Sequence, residues 1–72
     1  MNDEAEIDIV VNGQARRVPV DATVESLLAL LELHGDGLAI AVDRTIVPRS
    51  ERAHHVLVSG SQVEILRAVG GG

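Results

Sequence analysis

A chain of 72 residues without cysteine, Phe, Tyr or Trp has material for one thin domain, its core built from Val, Ile, Leu and Ala. A domain this short buries only about 60% of the surface its unfolded chain exposes, which leaves little room for an enclosed catalytic cavity. The net charge of −5 and the lack of aromatic stacking platforms argue against nucleic-acid binding, and the missing thiols exclude disulfides and thiolate metal sites.

In chain order, residues 1–5 read as a flexible polar arm. Ile7, Ile9 and Val11 alternate with Asp8 and Val10, the period-two pattern of a strand with one buried face. Asn12-Gly13 suits a type I′ hairpin turn, in which both central residues take positive φ. The partner strand, about Gln14 to Val20, contains Pro19. That residue lacks the N–H for a ladder bond and so belongs at a sheet edge. Thr23 is the expected N-cap of a helix, with Glu25 in the first turn near the positive end of the helix dipole. Val24, Leu27, Leu28 and Leu31 form its apolar stripe. Gly35 is expected to end the helix in a left-handed conformation, with His34 in the last turn.

Leu38 to Val42 is short and continuously apolar, as in a strand buried within a sheet. Asp43-Arg44 reads as a turn into a short strand, Thr45 to Val47, interrupted by Pro48. Ser50 to His55 reads as a helical turn, and Val56-Leu57-Val58 leads to a Ser59-Gly60 turn. The last strand starts near Gln62, with Val63 and Ile65 facing one way and Glu64 the other, and runs towards Val69. One helix stripe can cover one face of a mixed sheet. This order therefore predicts an α+β fold of the ubiquitin-like β-grasp kind, with one helix on one face and the first and last strands parallel at the centre. The domain is expected to span residues 6–69, followed by a flexible tail, Gly70-Gly71-Gly72.

His34, His54 and His55 lack the spacing of a zinc site. Neither a nucleophile elbow nor a phosphate-binding glycine loop is present, so no metal and no catalytic side chain are expected. The glycine tail is chemically different. Without side chains it can straighten and thread a narrow channel, at a cost of about 1–2 kcal/mol for each residue a partner fixes. A frayed end is the other reading of the tail taken alone. If Ile7, Ile9, Val63 and Ile65 point inward, the opposite sheet face carries Val10, Leu66 and Ala68, an apolar patch for partner docking. Arg49 either assists docking or forms a surface ion pair. The acidic start, Met-Asn-Asp-Glu-Ala-Glu, is unlike a basic signal-peptide leader. No apolar run approaches the roughly 20 residues of a membrane span, so a cytoplasmic protein without membrane contact is expected.

Five stretches carry a family likeness: Val11-Asn12-Gly13, Thr23 to Leu28, Leu38 to Val42, Ile46-Val47-Pro48-Arg49-Ser50 and Val63-Glu64-Ile65. With the Gly71-Gly72 end, they make residues 7–72 resemble the bacterial sulfur carriers of thiamine biosynthesis, the ThiS family. Arg52 stands where such proteins often carry tryptophan, Ser61 where aspartate is common and Asp43 where asparagine is usual; Gly70 adds a third glycine. The resemblance implies that an ATP-dependent adenylating enzyme activates the Gly72 carboxylate. A persulfide donor system then converts it to a thiocarboxylate, and thiazole synthase receives the sulfur. On this reading the chain is not an enzyme. It binds no cofactor of its own, ATP is used by the activating partner, and Gly70 and Gly71 form the leash behind Gly72. Other readings are a carrier for another pathway, such as the small subunit of molybdopterin synthase, a ubiquitin-like modifier, or a non-covalent interaction module. The molybdopterin subunit is typically richer in aromatics, with prolines before its terminal glycines; this chain has neither.

Overall fold

Alternating apolar residues and one glycine-containing turn set up the first hairpin of the computed structural model, which describes residues 5–68. Residues 1–4 of the arm expected over residues 1–5, Val69 at the expected end of the domain, and the tail residues Gly70, Gly71 and Gly72 lie outside the described residues. Strand β1, Glu6–Val11, pairs antiparallel with β2, Gln14–Pro19. Asn12 and Gly13 join them with φ of 50° and 83°, as a type I′ turn requires. β2 stops one residue short of the expected Val20 and lies at the sheet edge, where Pro19 leaves no ladder bond unmade. Val20 instead donates its N–H to the Ala5 carbonyl at 2.7 Å, so Ala5 is tied to the sheet rather than to an arm.

Helix α1, Val24–Leu30, begins at Thr23 with a closed capping box. Thr23 Oγ1 accepts from the Ser26 N–H at 3.1 Å, and Ser26 Oγ accepts from the Thr23 N–H at 2.8 Å. The end of the helix differs from the sequence expectation. The C-cap is Leu31, and Glu32, with φ 58°, takes the left-handed position assigned above to Gly35. The Leu33 N–H donates to the Leu28 carbonyl at 2.9 Å and the Glu32 N–H to the Ala29 carbonyl at 3.0 Å, the paired bonds of a Schellman motif. Leu33 explains the early stop, because it must fold back to pack against the core beside Leu28. Gly35 (φ 92°) belongs to the following loop, and His34 lies beyond the helix.

Strand β3, Leu38–Val42, turns through Asp43-Arg44 into β4, Thr45–Ile46. Both turn residues have positive φ, 51° and 72°, a second type I′ hairpin without glycine. β4 is one residue shorter than expected: Val47 is buried, and its N–H donates to the Ile40 carbonyl at 2.9 Å. A single 3-10 turn at Arg49–Glu51 follows, and Leu57 plugs the base of the core with its N–H on the Ala22 carbonyl at 2.8 Å.

Strand β5, Gln62–Arg67, is parallel to β1 and antiparallel to β3, giving the order β2-β1-β5-β3-β4. Val24, Leu27 and Leu28 of α1 close one face of this sheet over Ile9, Val11, Val18, Ile40, Val42 and Val63. This is the β-grasp arrangement: a mixed sheet with one helix on one face and the first and last strands adjacent at the centre. Among the described residues no helix is long and apolar enough to cross a membrane.

An L-residue held left-handed costs about 1–2 kcal/mol, partly offset in a glycine replacement by the greater freedom of the unfolded chain. Glu32→Gly is therefore expected to raise stability by up to about 1 kcal/mol, read as a higher urea midpoint with an unchanged slope.

Candidate functional site

The strand pairings place a set of residues on the sheet face that α1 leaves open. Ala39 stands opposite Leu66 and Ala41 opposite Glu64, while Ala41 also faces Ile46 across β4. The small alanine side chains leave Leu66 and Ile46 standing proud, 72% and 67% exposed. Ala68 follows Leu66 on the same side and meets the loop residue Gly37. Val10 shares this face but is level with Gln62, four residues and about 13 Å back along β5 from Leu66. The structure thus gathers Leu66 and Ala68 at the end of the sheet where the chain leaves the domain. Val10 lies apart from them.

Arg49 is placed elsewhere. Its Nη1 meets Asp36 Oδ1 at 3.0 Å in an exposed ion pair, and its side chain borders a hollow of about 310 Å³ against α1. Such a pair contributes little to stability. Arg49 is therefore on the helix side of the sheet, not on the face that holds Leu66. Ile46 was missed as a member of that face, although the alternation of Thr45, Ile46 and buried Val47 carried the signal.

Acidic residues flank the patch. Glu64 lies beside Leu66 along β5, and Glu6 and Asp8 lie further across the sheet, where Arg17 meets them at 3.9 Å and 3.1 Å. The face therefore combines two exposed aliphatic side chains with a mainly acidic rim, which suits a partner with a basic margin. Among the described residues no group of three His, Cys, Asp or Glu is placed to hold a metal ion.

What holds β5 steady is partly side-chain chemistry. Beyond Val11 the chain of β1 turns away, and the Asn12 side chain replaces it. Its Oδ1 accepts from the Ile65 N–H at 2.8 Å, and its Nδ2 donates to the Ile65 carbonyl at 3.2 Å, as a strand peptide would. Asn12 was legible only as a turn residue, so this second role was not anticipated.

The three unusual residues are all tied into the backbone. Asp43 Oδ1 accepts from the Gln62 N–H at 2.9 Å at the start of β5. Ser61 is buried, and its Oγ accepts from the Val58 N–H at 3.0 Å across the Ser59-Gly60 turn. Arg52 reaches through the hollow beside α1, where its Nη2 donates to the Leu38 carbonyl at 2.7 Å.

Comparison with known proteins identifies relatives of the chain. The sequence model of the ThiS family matches residues 9–72. The chain is 33% identical over 66 residues to the sulfur carrier protein ThiS of Escherichia coli (strain K12), covering 92% of this chain and 100% of that one. It is also 39% identical over 66 residues to a thiazole synthase of Paramagnetospirillum magneticum (strain ATCC 700264 / AMB-1), covering 89% of this chain and 20% of that one. Among solved structures, the thiamine biosynthesis protein ThiS of Geobacter metallireducens shares the fold, with a TM-score of 0.78 at 23% identity. That match covers 92% of this chain and 100% of the other.

Because Leu66 is largely in water, Leu66→Ser is expected to change unfolding free energy by no more than about 0.5 kcal/mol. Ile9→Ala, in the sealed core, is expected to cost about 2–5 kcal/mol. Chemical denaturation of the two variants side by side checks the contrast.

Proposed function

We propose, because the chain belongs to the ThiS family and is a sulfur carrier of thiamine biosynthesis, that the sulfur rides on the carboxyl carbon of Gly72. The observation that carries this reading is that the family match runs through to residue 72, the last of three glycines.

The chemistry has a physical order. A free carboxylate is a poor electrophile. An adenylating enzyme joins its oxygen to the α-phosphorus of ATP and releases pyrophosphate, leaving a mixed anhydride with a good leaving group. A persulfide sulfur attacks the acyl carbon and expels AMP. A thiol then cleaves the remaining S–S bond, leaving a thiocarboxylate on Gly72 and a disulfide on the donor side. This chain has no cysteine of its own to intercept the activated acyl group. ATP belongs to the activating partner, and the carrier itself needs no bound cofactor.

Thiazole synthase is the proposed recipient of the sulfur. In one relative, a segment similar to this chain makes up a fifth of a polypeptide named thiazole synthase. Covalent linkage raises the local concentration of two units that must meet, which supports pairing the carrier with that enzyme. Four residues follow Ala68, and fully extended they reach at most about 14 Å. Any partner must therefore hold the body close to its reacting atoms. The patch at Leu66 and Ala68, with Ile46 on the same sheet face, is the proposed grip, and Val10 lies further back on that face.

Intact mass spectrometry after incubation with a thiamine-pathway adenylating enzyme, ATP and a sulfur source is expected to show replacement of one oxygen by sulfur at Gly72. Deleting Gly72 should abolish that gain while leaving the thermal midpoint unchanged within about 1 °C, because surface changes of this kind rarely alter stability. Sulfur delivery by the shortened chain would refute the assignment.

A further inference from the structure

The point where the last four residues begin is held by a loop as well as by the sheet. The Ala68 N–H donates to the Gly37 carbonyl at 2.7 Å, and Leu38 stands opposite Arg67. Gly37 has φ 86°, and a Cβ built there would lie 3.7 Å from that of Ala68, so loop and strand end are in close contact. Arg52 grips the same loop from the far side of the hollow through its 2.7 Å bond to the Leu38 carbonyl. Its own backbone is fixed to the helix start, where its carbonyl accepts from the Glu25 N–H at 3.0 Å. Its Nε is buried without a hydrogen-bond partner among the described residues. Leaving a buried donor unpaired is unfavourable, and an aliphatic side chain would fill this space without that penalty. The bond to Leu38 is the contact that gives the guanidinium a purpose here.

We propose that Arg52 is a positioning residue for sulfur loading. By clamping the Leu38 carbonyl it holds Gly37 against Ala68, and so sets the chain direction from which the last four residues start. The proposal rests on Gly72 being the activated residue. Its physical content is a population effect. When the root swings freely, only a fraction of conformers aim the terminus into the activating enzyme, and apparent affinity falls by that fraction. The chemical step, once reached, is unchanged.

The test follows ATP-dependent pyrophosphate release by a thiamine-pathway adenylating enzyme at varied carrier concentration. It is combined with amide hydrogen exchange at Ala68 and Ile9. Arg52→Met keeps the stem and removes the donor, whereas Arg52→Lys restores a donor. Arg52→Met is expected to raise KM about fivefold with kcat within about twofold, the signature of lost binding competence rather than lost chemistry. Ala68 should exchange at least about tenfold faster while Ile9 does not change, and Arg52→Lys should recover much of both effects. Gly37→Ala, strained by its positive φ, disturbs the same loop while keeping the Arg52 guanidinium and should reproduce the rise in KM. An unchanged KM in Arg52→Met, or unaltered exchange at Ala68, would overturn the proposal. No pyrophosphate release by the unsubstituted chain would overturn the carrier reading instead, and exchange at Ala68 would still judge the clamp.

Discussion

One short helix covers one face of the sheet, and most of this protein's character follows from that limit. Val24, Leu27 and Leu28 seal Ile9, Ile40 and Val63 into an aliphatic core a single layer deep. A core of this thickness cannot also enclose a reaction chamber, because its interior is already filled by the side chains that stabilise it. The other sheet face is left to water, with Leu66 and Ile46 exposed on it. On the proposed reading, recognition and chemistry are thereby moved to the outside of the domain.

The central position of β5 gives that chain end its footing. Bonds to β1 on one side and β3 on the other fix the strand along most of its length. Where β1 runs out, the Asn12 amide continues the ladder to Ile65. At the far end, Gly37 meets Ala68 while Arg52 holds the adjoining Leu38 carbonyl. The last strand is therefore held from both sides up to Ala68.

Membership of the ThiS family joins this mechanical picture to sulfur chemistry. Asp43, Ser61 and Arg52 are tied into the same framework. Asp43 and Ser61 supply acceptors to backbone N–H groups at two turns, and Arg52 supplies a donor to a strand carbonyl.

The sequence by itself determined the succession of elements, the central pairing of the first and last strands, the edge position of β2, the helix N-cap and the two faces of β1 and β5. These depend on local rules: a period of two, a missing N–H at Pro19, a hydroxyl at Thr23. It also carried the terminal glycines, whose meaning lies in the absence of side chains. Tertiary structure decided the rest. Glu32 rather than Gly35 ends the helix because Leu33 is drawn back to the core, a long-range packing demand that overrides glycine's local preference. Arg49 was assigned to an ion pair with Asp36, and Val10 was separated from Leu66, by strand register and loop path. Hydrogen bonds such as Asn12 to Ile65 and Arg52 to Leu38 join residues 53 and 14 positions apart. No periodicity encodes contacts of that kind, since they exist only once the sheet has brought distant segments together.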